Sequence, residues 1–159
     1  MKRQTKTKII VIAGPTATGK SDFAVAVAKK INGEVISADS RQVYTGMDIG
    51  TGKITVREMH NIPHHLLDVI TPKKTFTVAQ YKKLADKKIR EITKRGSVAI
   101  ICGGTGFYID TVTTGQTLPE VPPNVALRKK LALLSTTQLF EKLKKLDKNR
   151  AENIDKNNP

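Results

Sequence analysis

The feature that most constrains this chain is an octapeptide near its start, Gly14-Pro15-Thr16-Ala17-Thr18-Gly19-Lys20-Ser21. It fits the pattern G-x-x-x-x-G-K-[ST], and it stands between a β-branched run, Ile9 to Ala13, and residues of helical periodicity. In such a loop, backbone N–H groups and the helix N-terminus converge on an anion, Lys20 adds a positive charge and Ser21 can ligate Mg²⁺. All eight residues are therefore predicted to form a phosphate-binding loop (P-loop), a signature of nucleotide-binding and ATP-binding proteins.

The remaining apolar segments predict an α/β fold. Two apolar, β-branched-rich runs without polar alternation, residues 9–13 and 98–102, are typical of parallel strands buried on both faces, and residues 34–37 predict a second, short strand between them. One helix is predicted between the P-loop and Asn32-Gly33, and a longer one from the capping box Thr77-x-x-Gln80 to Gly96. We expect a P-loop NTPase-like parallel sheet flanked by helices, occupying residues 1–118.

The segment 46–72 is interrupted by glycine and proline, and we predict loops there. One short helix is expected at the capping box Thr55-x-x-Glu58. The three histidines, His60, His64 and His65, lack acidic or thiol partners at metal-ligand spacing. We therefore assign them to loop packing or substrate contact.

The chain changes character after Gly115. Pro119, Pro122 and Pro123 predict a stiff connection, and the residues after them are basic with helical periodicity. We expect one helix over 124–134 and another after Ser135-x-x-Gln138. Residues 119–159 are thus predicted to form a small helical appendage.

The composition narrows the class of partner. A formal charge of +14, spread along 159 residues, attracts polyanions such as nucleic acid, although a lysine-rich solubilising surface explains it equally well. Cys102 is the single cysteine, which excludes an internal disulfide, and no run approaches the ~20 apolar residues that span a bilayer. We expect a cytoplasmic protein without membrane contact.

Polar residues come after two of the predicted strands. Asp39 lies just after the second, and Thr105 lies in the glycine cluster after the third. Ligands of open parallel sheets bind at the carboxyl ends of the strands, so both residues are predicted to face the P-loop. Asp39 is the candidate base, or a group that positions Mg²⁺, unless it only caps a turn. The absence of a Walker B carboxylate after the third strand argues against an ordinary ATPase.

Four segments of the chain also carry a family resemblance: G-P-T-A-T-G-K-S, I-S-A-D-S-R-Q-V-Y-x-G-M-D-I-G-T-x-K, P-H-H-L-L-D-V and G-G-T-G-F-Y-I. In this order and spacing they resemble the tRNA dimethylallyltransferases, also called tRNA isopentenyltransferases, from Lys8 to about Pro159. The resemblance implies that the P-loop holds dimethylallyl diphosphate rather than ATP. It also implies a tRNA substrate, bound by its anticodon arm, in which N6 of an adenosine on the 3′ side of the anticodon is prenylated by a monomeric enzyme.

The resemblance assigns roles by matching position. Asp39 is implied as the general base at N6, Thr105 assists the bridging oxygen of the leaving group, and Lys20, Ser21 and Mg²⁺ balance its charge. The residues implied to contact tRNA are Asp39, Ser40, Arg41, Gln42, Thr105 and, further along, Arg128. The family continues after Pro159 with an arginine-rich segment and a region that clamps tRNA. We therefore expect this sequence to be a fragment that alone binds diphosphate weakly and transfers the prenyl group slowly or not at all.

Other functions fit the same motifs. A P-loop kinase of a nucleoside or small metabolite would use Asp39 to activate a hydroxyl, and an adenylate isopentenyltransferase would prenylate a free nucleotide. A truncated remnant would only bind RNA. The high positive charge favours tRNA over the two small-molecule substrates.

Overall fold

The computed structural model describes residues 8–115 and 124–157. The chain divides into two compact units, residues 1–119 and 120–159. The boundary predicted at 118/119 and the proline-rich connection lie outside the described residues. Among the residues that are described, no helix is both long and apolar enough to cross a bilayer.

The first unit is built on a four-stranded parallel sheet. Its strands are β1 (Ile9–Ala13), β2 (Gly33–Ser37), β3 (His64–His65) and β4 (Val98–Gly103), in the spatial order β1-β4-β2-β3. The central strand β4 pairs Gly103 with Ala13 of β1 and Cys102 with Ser37 of β2. Three strands therefore end at the same edge of the sheet, and the predicted α/β class is confirmed.

Helices cover both faces of this sheet. They are α1 (Lys20–Ile31), α2 (Val78–Lys94) and α3 (Gly106–Thr113). Because successive side chains of a strand point to opposite faces, β2 and β4 contribute side chains to two separate hydrophobic cores. Val35 and Ile100 pack in one core with Ala24 and Ala28 of α1. The other core contains these residues of the two strands, α2 and α3: Ile36, Ile101, Tyr81, Ala85, Ile89, Ile92 and Tyr108.

The position of β1 differs from the sequence prediction. Within the described residues it lies at an edge of the sheet and pairs with β4 alone, so Val11 is 38% exposed and Ala13 is exposed. The prediction that this run is buried on both faces is therefore wrong for the described part of the chain. A β-branched run favours an extended backbone, but burial depends on which neighbours pair with it.

The predicted short helix at Thr55 is a turn. Thr55 N donates to Glu58 Oε2 at 2.8 Å and Glu58 N donates to Thr55 Oγ1 at 3.3 Å, which are the contacts of a capping box. The helix does not continue, because His60 and Asn61 adopt φ values of 48° and 64°. A capping box that is not followed by an apolar helix face thus forms only a single turn.

Two further elements of the first unit were not predicted. His64 and His65 form β3 instead of a loop, and α3 comes directly after the glycine cluster. Both depend on neighbours in the fold. β3 pairs with Val35 and Ile36, and α3 buries Tyr108 and Thr111.

The described residues of the second unit form the helices α4 (Val125–Leu131), α5 (Thr136–Leu146) and α6 (Lys148–Glu152). Their N-caps are Asn124, Ser135 and Asp147, each with a side chain that accepts from a first-turn amide. α4 ends at Leu131, three residues short of the predicted end, and α6 was not predicted. The Asp147 cap explains why the chain turns into a new helix there.

Candidate active site

The P-loop joins β1 to α1 and is ordered by contacts among its own residues. Thr18 Oγ1 and Lys20 Nζ both donate to the carbonyl oxygen of Pro15, at 2.9 and 2.7 Å. Gly19, with φ of 75°, takes a left-handed conformation that favours glycine, immediately before the first residue of α1. The loop and the free amides of the first helical turn form the type of concavity that binds anions.

The glycine cluster lies where three strand ends meet. A Cβ atom on Gly103 would be 2.3 Å from the carbonyl oxygen of Ala38, so only glycine fits. Ala38 N donates to Cys102 O at 2.7 Å, Gly14 N to Gly103 O at 3.4 Å and Thr105 N to Ala38 O at 3.0 Å. This close packing brings the P-loop, the end of β2 and the end of β4 together.

Asp39 and Thr105 are fixed at this junction. Asp39 Oδ1 accepts from the amides of Arg41, at 2.9 Å, and Gln42, at 3.4 Å, so the residue caps a turn as the alternative interpretation required. Thr105 Oγ1 accepts from Ser40 N at 2.9 Å and donates to Ser40 Oγ at 3.3 Å. The second contact is long, so the Thr105 proton can be redirected to a ligand at little cost.

A cleft with two chambers opens at the junction. The first chamber, of about 350 Å³, is lined by the P-loop from Thr16 to Ser21 and by Asp39 and Gln42. The second, of about 490 Å³, is lined by Pro15, Ser40, Arg41 and Thr105, among others. Four residues line both chambers: Thr16, Asp39, Thr51 and Gly52. Asp39 therefore stands at the boundary between the P-loop chamber and the Arg41 chamber.

The wall opposite the P-loop is formed by residues 50–52, and Gln42 binds it. Gln42 Nε2 donates to Gly52 O at 3.2 Å and to Thr51 O at 3.5 Å, while its Oε1 accepts from Ser37 Oγ at 3.4 Å. The Gln42 side chain is thereby held in place from both sides, although its backbone lies in a turn. We call residues 50–52 the cleft wall.

Lys53 comes directly after the wall, and its side chain is only 5% exposed. Its ammonium group donates to Tyr44 O at 2.9 Å, Asp48 Oδ1 at 2.7 Å and Asp68 Oδ1 at 2.5 Å. Burial by itself would lower the pKa of Lys53, but the hydrogen bonds to the two carboxylates outweigh it and the pKa is raised. The amine is therefore charged at neutral pH.

Two other groups near the cleft are held in their neutral form. Burial raises the pKa of the Cys102 thiol to about 11, against the opposing effect of Lys20, so the thiol is not a nucleophile at neutral pH. Burial also raises the pKa of Tyr108, and the nearby Tyr44 and Asp39 raise it further. Of the three acidic residues that line the first chamber, Asp22, Asp39 and Glu58, Asp39 is the one that also lines the second.

The comparison with known proteins agrees with this geometry. Residues 42–159 match the IPP transferase family. The chain belongs to this family. The tRNA dimethylallyltransferase of Anoxybacillus flavithermus is 46% identical over 151 residues, which are 95% of this chain and 49% of that protein. The chain spans about half the length of the curated relatives it matches.

Two solved structures of such transferases share the fold. The full-length tRNA isopentenylpyrophosphate transferase of Bacillus halodurans is 43% identical, with a TM-score of 0.71 over 96% of this chain and 52% of that one. A eukaryotic dimethylallyltransferase acting on tRNA is 30% identical, with a TM-score of 0.83 over 96% of this chain and 39% of that one. The resemblance inferred from the four sequence segments is therefore confirmed at the level of the IPP transferase family.

The sequence-predicted site residues lie in two places. P-loop residues 15–21, Asp39 to Gln42 and Thr105 border the cleft, and Gly14 contacts Gly103 O beside it, while Arg128 is exposed on α4 in the second unit. Their catalytic and RNA-binding roles stay predictions. His65 Nε2 lies 2.7 Å from Glu34 Oε2, and the described residues contain no cluster of three or more His, Cys, Asp or Glu side chains suited to a metal.

Sequence reasoning missed the cleft wall and Lys53. The residue types at positions 50–53 do not by themselves indicate a binding or catalytic function. The wall and Lys53 become recognisable as parts of the site only after folding has brought residues 50–52 and the P-loop to the same cleft. The signal that could have found them is the segment M-D-I-G-T-x-K, residues 47–53, which belongs to the family resemblance.

Proposed function

We propose that this chain carries the diphosphate-binding and catalytic core of a tRNA dimethylallyltransferase. The observation that carries the proposal is the position of Asp39 at the boundary between a P-loop chamber and an Arg41 chamber. A transferase needs its base between the donor and the acceptor, whereas a simple phosphate-binding protein has no use for it. The family membership supports the same conclusion.

In this proposal the P-loop holds the diphosphate of dimethylallyl diphosphate. The exocyclic N6 of adenosine, entering from the Arg41 chamber, attacks C1 of the prenyl group. The C1–O bond breaks, its electron pair leaves with the diphosphate, and the N6 proton passes to the Asp39 carboxylate. Lys20 and the loop amides stabilise the charge that develops on the leaving oxygens.

Thr105 is suited to assist the leaving group. Its hydroxyl is fixed by the Ser40 amide at 2.9 Å, which leaves the proton free to rotate toward an oxygen in the cleft. A donor held in this way stabilises negative charge without reorganisation during the step.

Ser21 fits a role in binding Mg²⁺. Its hydroxyl lines the P-loop chamber beside Asp22, and Mg²⁺ is commonly held by one or two protein oxygens together with substrate phosphates and water. The lack of a dedicated cluster of metal-binding side chains in the described residues agrees with that mode. Bound there with the diphosphate, the ion would neutralise part of the leaving-group charge.

Transfer to tRNA is favoured over transfer to a free nucleotide by the charge of +14. A loop base must leave its stack to reach such a cleft, and the exposed Arg41 lies at the chamber that would receive it. Arg128 and the other basic residues of the second unit are proposed to contact the phosphates of the anticodon arm.

Two measurements test the proposal. Isothermal titration in the presence of Mg²⁺ should show binding of dimethylallyl diphosphate in preference to ATP. A radiolabelled donor should transfer its prenyl group to tRNA, slowly with residues 1–159 alone and faster with a chain extended to the length of the relatives. Tight binding of ATP with indifference to dimethylallyl diphosphate would favour a small-molecule kinase instead. Transfer to free adenosine monophosphate but not to tRNA would overturn the choice of acceptor.

A further inference from the structure

We propose that Lys53 is a positioning residue that holds the cleft wall, and through the wall Gln42 and Asp39, in the arrangement that transfer requires. The effect on transfer rests on the proposed function. The mechanical part, that Lys53 orders the wall, stands on the contacts alone.

Lys53 ties together three separate stretches of chain. Its ammonium group binds the carbonyl of Tyr44, in the turn after Asp39, the carboxylate of Asp48, before the wall, and the carboxylate of Asp68, after β3. With the Lys53 side chain only 5% exposed, these partners replace water around the charge. Because the Lys53 ammonium group binds all three partners at once, it fixes the distances between these three segments of chain.

Lys53 is connected to Asp39 through the cleft wall and Gln42. The wall adjoins Lys53 in sequence, and the backbone carbonyls of Thr51 and Gly52 accept hydrogen bonds from the side-chain amide of Gln42. Gln42 N in turn donates to Asp39 Oδ1 at 3.4 Å. If the wall moves, Gln42 loses its acceptors and the turn that aims the carboxylate is less restrained.

The lysine pairs on α2 provide a contrast. Lys82 binds Asp86 and Lys88 binds Glu91, each within one helix and at the surface. Such pairs contribute little to stability and connect no separate segments. Lys88 is therefore a matched control, since it loses an ion pair of similar length without touching the cleft.

The test compares three variants of the full chain, Lys53→Met, Lys53→Arg and the control Lys88→Met. Hydrogen exchange is measured at the amides of positions 52 and 53, which donate to Ile49 O and Asp48 O. In Lys53→Met we expect exchange there to be at least about tenfold faster, because the loop opens locally. Lys88→Met should match the parent, and Lys53→Arg should recover part of the protection.

Ligand binding and kinetics then separate positioning from general damage. Titration with magnesium pyrophosphate should give the same affinity in Lys53→Met as in the parent, since the P-loop is ordered by its own contacts. The kcat of prenyl transfer should fall by roughly 10²-fold, as for a displaced reacting group, with KM for dimethylallyl diphosphate little changed.

Unchanged exchange at positions 52 and 53 would overturn the proposal. Faster exchange with an unchanged kcat would also overturn it, by reducing Lys53 to a structural residue. If neither the parent nor a chain extended to the length of the relatives transfers a prenyl group, the proposed function fails separately. In that case, faster exchange with retained pyrophosphate affinity still supports the ordering of the wall by Lys53.

Discussion

The two sides of the cleft are ordered in different ways. On the P-loop side the side-chain contacts join residues three to five positions apart, such as Thr18 and Lys20 with Pro15. On the Asp39 side, Ser40 meets Thr105 across 65 positions and Lys53 meets Asp68 across 15. The P-loop side is thus ordered by local contacts, whereas the contacts of Ser40 with Thr105 form only when the sheet is assembled. Substitutions should accordingly affect ligand affinity on one side and reaction rate on the other.

The largest effect is expected for Asp39→Asn. The amide keeps an oxygen that accepts from the Arg41 and Gln42 amides, so the turn persists, but it cannot take the N6 proton. Single-turnover prenyl transfer should slow by roughly 10²–10⁴-fold, the usual contribution of a general base, while magnesium pyrophosphate affinity is retained. Asp110→Asn, an exposed position on α3, is the control. A transfer rate equal to that of the parent would remove Asp39 from the reaction.

Lys20→Met should weaken ligand binding on the P-loop side of the cleft. Loss of a charged hydrogen-bond donor to phosphate costs about 1.5–3 kcal/mol, so pyrophosphate should bind roughly 10- to 100-fold more weakly in an isothermal titration. Hydrogen exchange at positions 52 and 53 should not change, since Lys20 contacts its own loop. Lys30→Met, exposed at the other end of α1, serves as the control. Equal affinity in the Lys20 and Lys30 variants would contradict the assignment of the P-loop.

A smaller effect, on stability, is expected for Arg95→Met. Arg95 makes a bidentate pair with the carboxylate of Glu34, which His65 also binds, and this joins the start of β2, β3 and the end of α2. Because Glu34 is buried, losing Arg95 should lower the free energy of unfolding by about 2 kcal/mol in a urea titration. Arg90→Met, exposed on α2, should change it far less. If both variants unfold at the same urea concentration, the Arg95–Glu34 pair does not stabilise the fold.

The smallest effect is a loss of stability on acidification. Burial lowers the pKa of His64 below its usual 6.5, and electrostatic interaction with the neighbouring His65 lowers it further, against the opposing hydrogen bond to the Ile62 carbonyl. The unfolded chain therefore binds a proton that the folded chain resists, so stability falls as the pH drops below about 6.5. Urea midpoints at pH 7.5 and 5.5 should differ by less than the Arg95 effect, and His64→Gln should reduce the difference. A larger drop in His64→Gln would show that another group is responsible.

Protonation of Glu34 should lower the stability of the fold further at lower pH. Burial would raise its pKa, but the contacts with His65 and Arg95 outweigh it and hold the pKa below 4.5. Its contribution is therefore present above about pH 4.5 and is lost as the pH falls through the lower, folded value. Acid should thus weaken the fold around β2 and β3 through two groups in succession.

Local sequence patterns were enough to predict the P-loop, the helices α1, α2 and α5, and the α/β class. These depend on neighbours in the chain: glycines at set intervals, capping boxes at Thr77 and Ser135, and unbroken β-branched runs. The sequence also placed Asp39 and Thr105 beside the P-loop, because strand ends in a parallel sheet share an edge.

Three features could be seen only in the folded chain: β1 lies at an edge of the described sheet, Thr55 opens a turn and not a helix, and His64 and His65 form a strand. The tertiary structure alone revealed the cleft wall and the buried Lys53. The physical reason is range: local signals fix a backbone conformation, whereas burial and ion pairing depend on segments that are distant in sequence and meet only after folding.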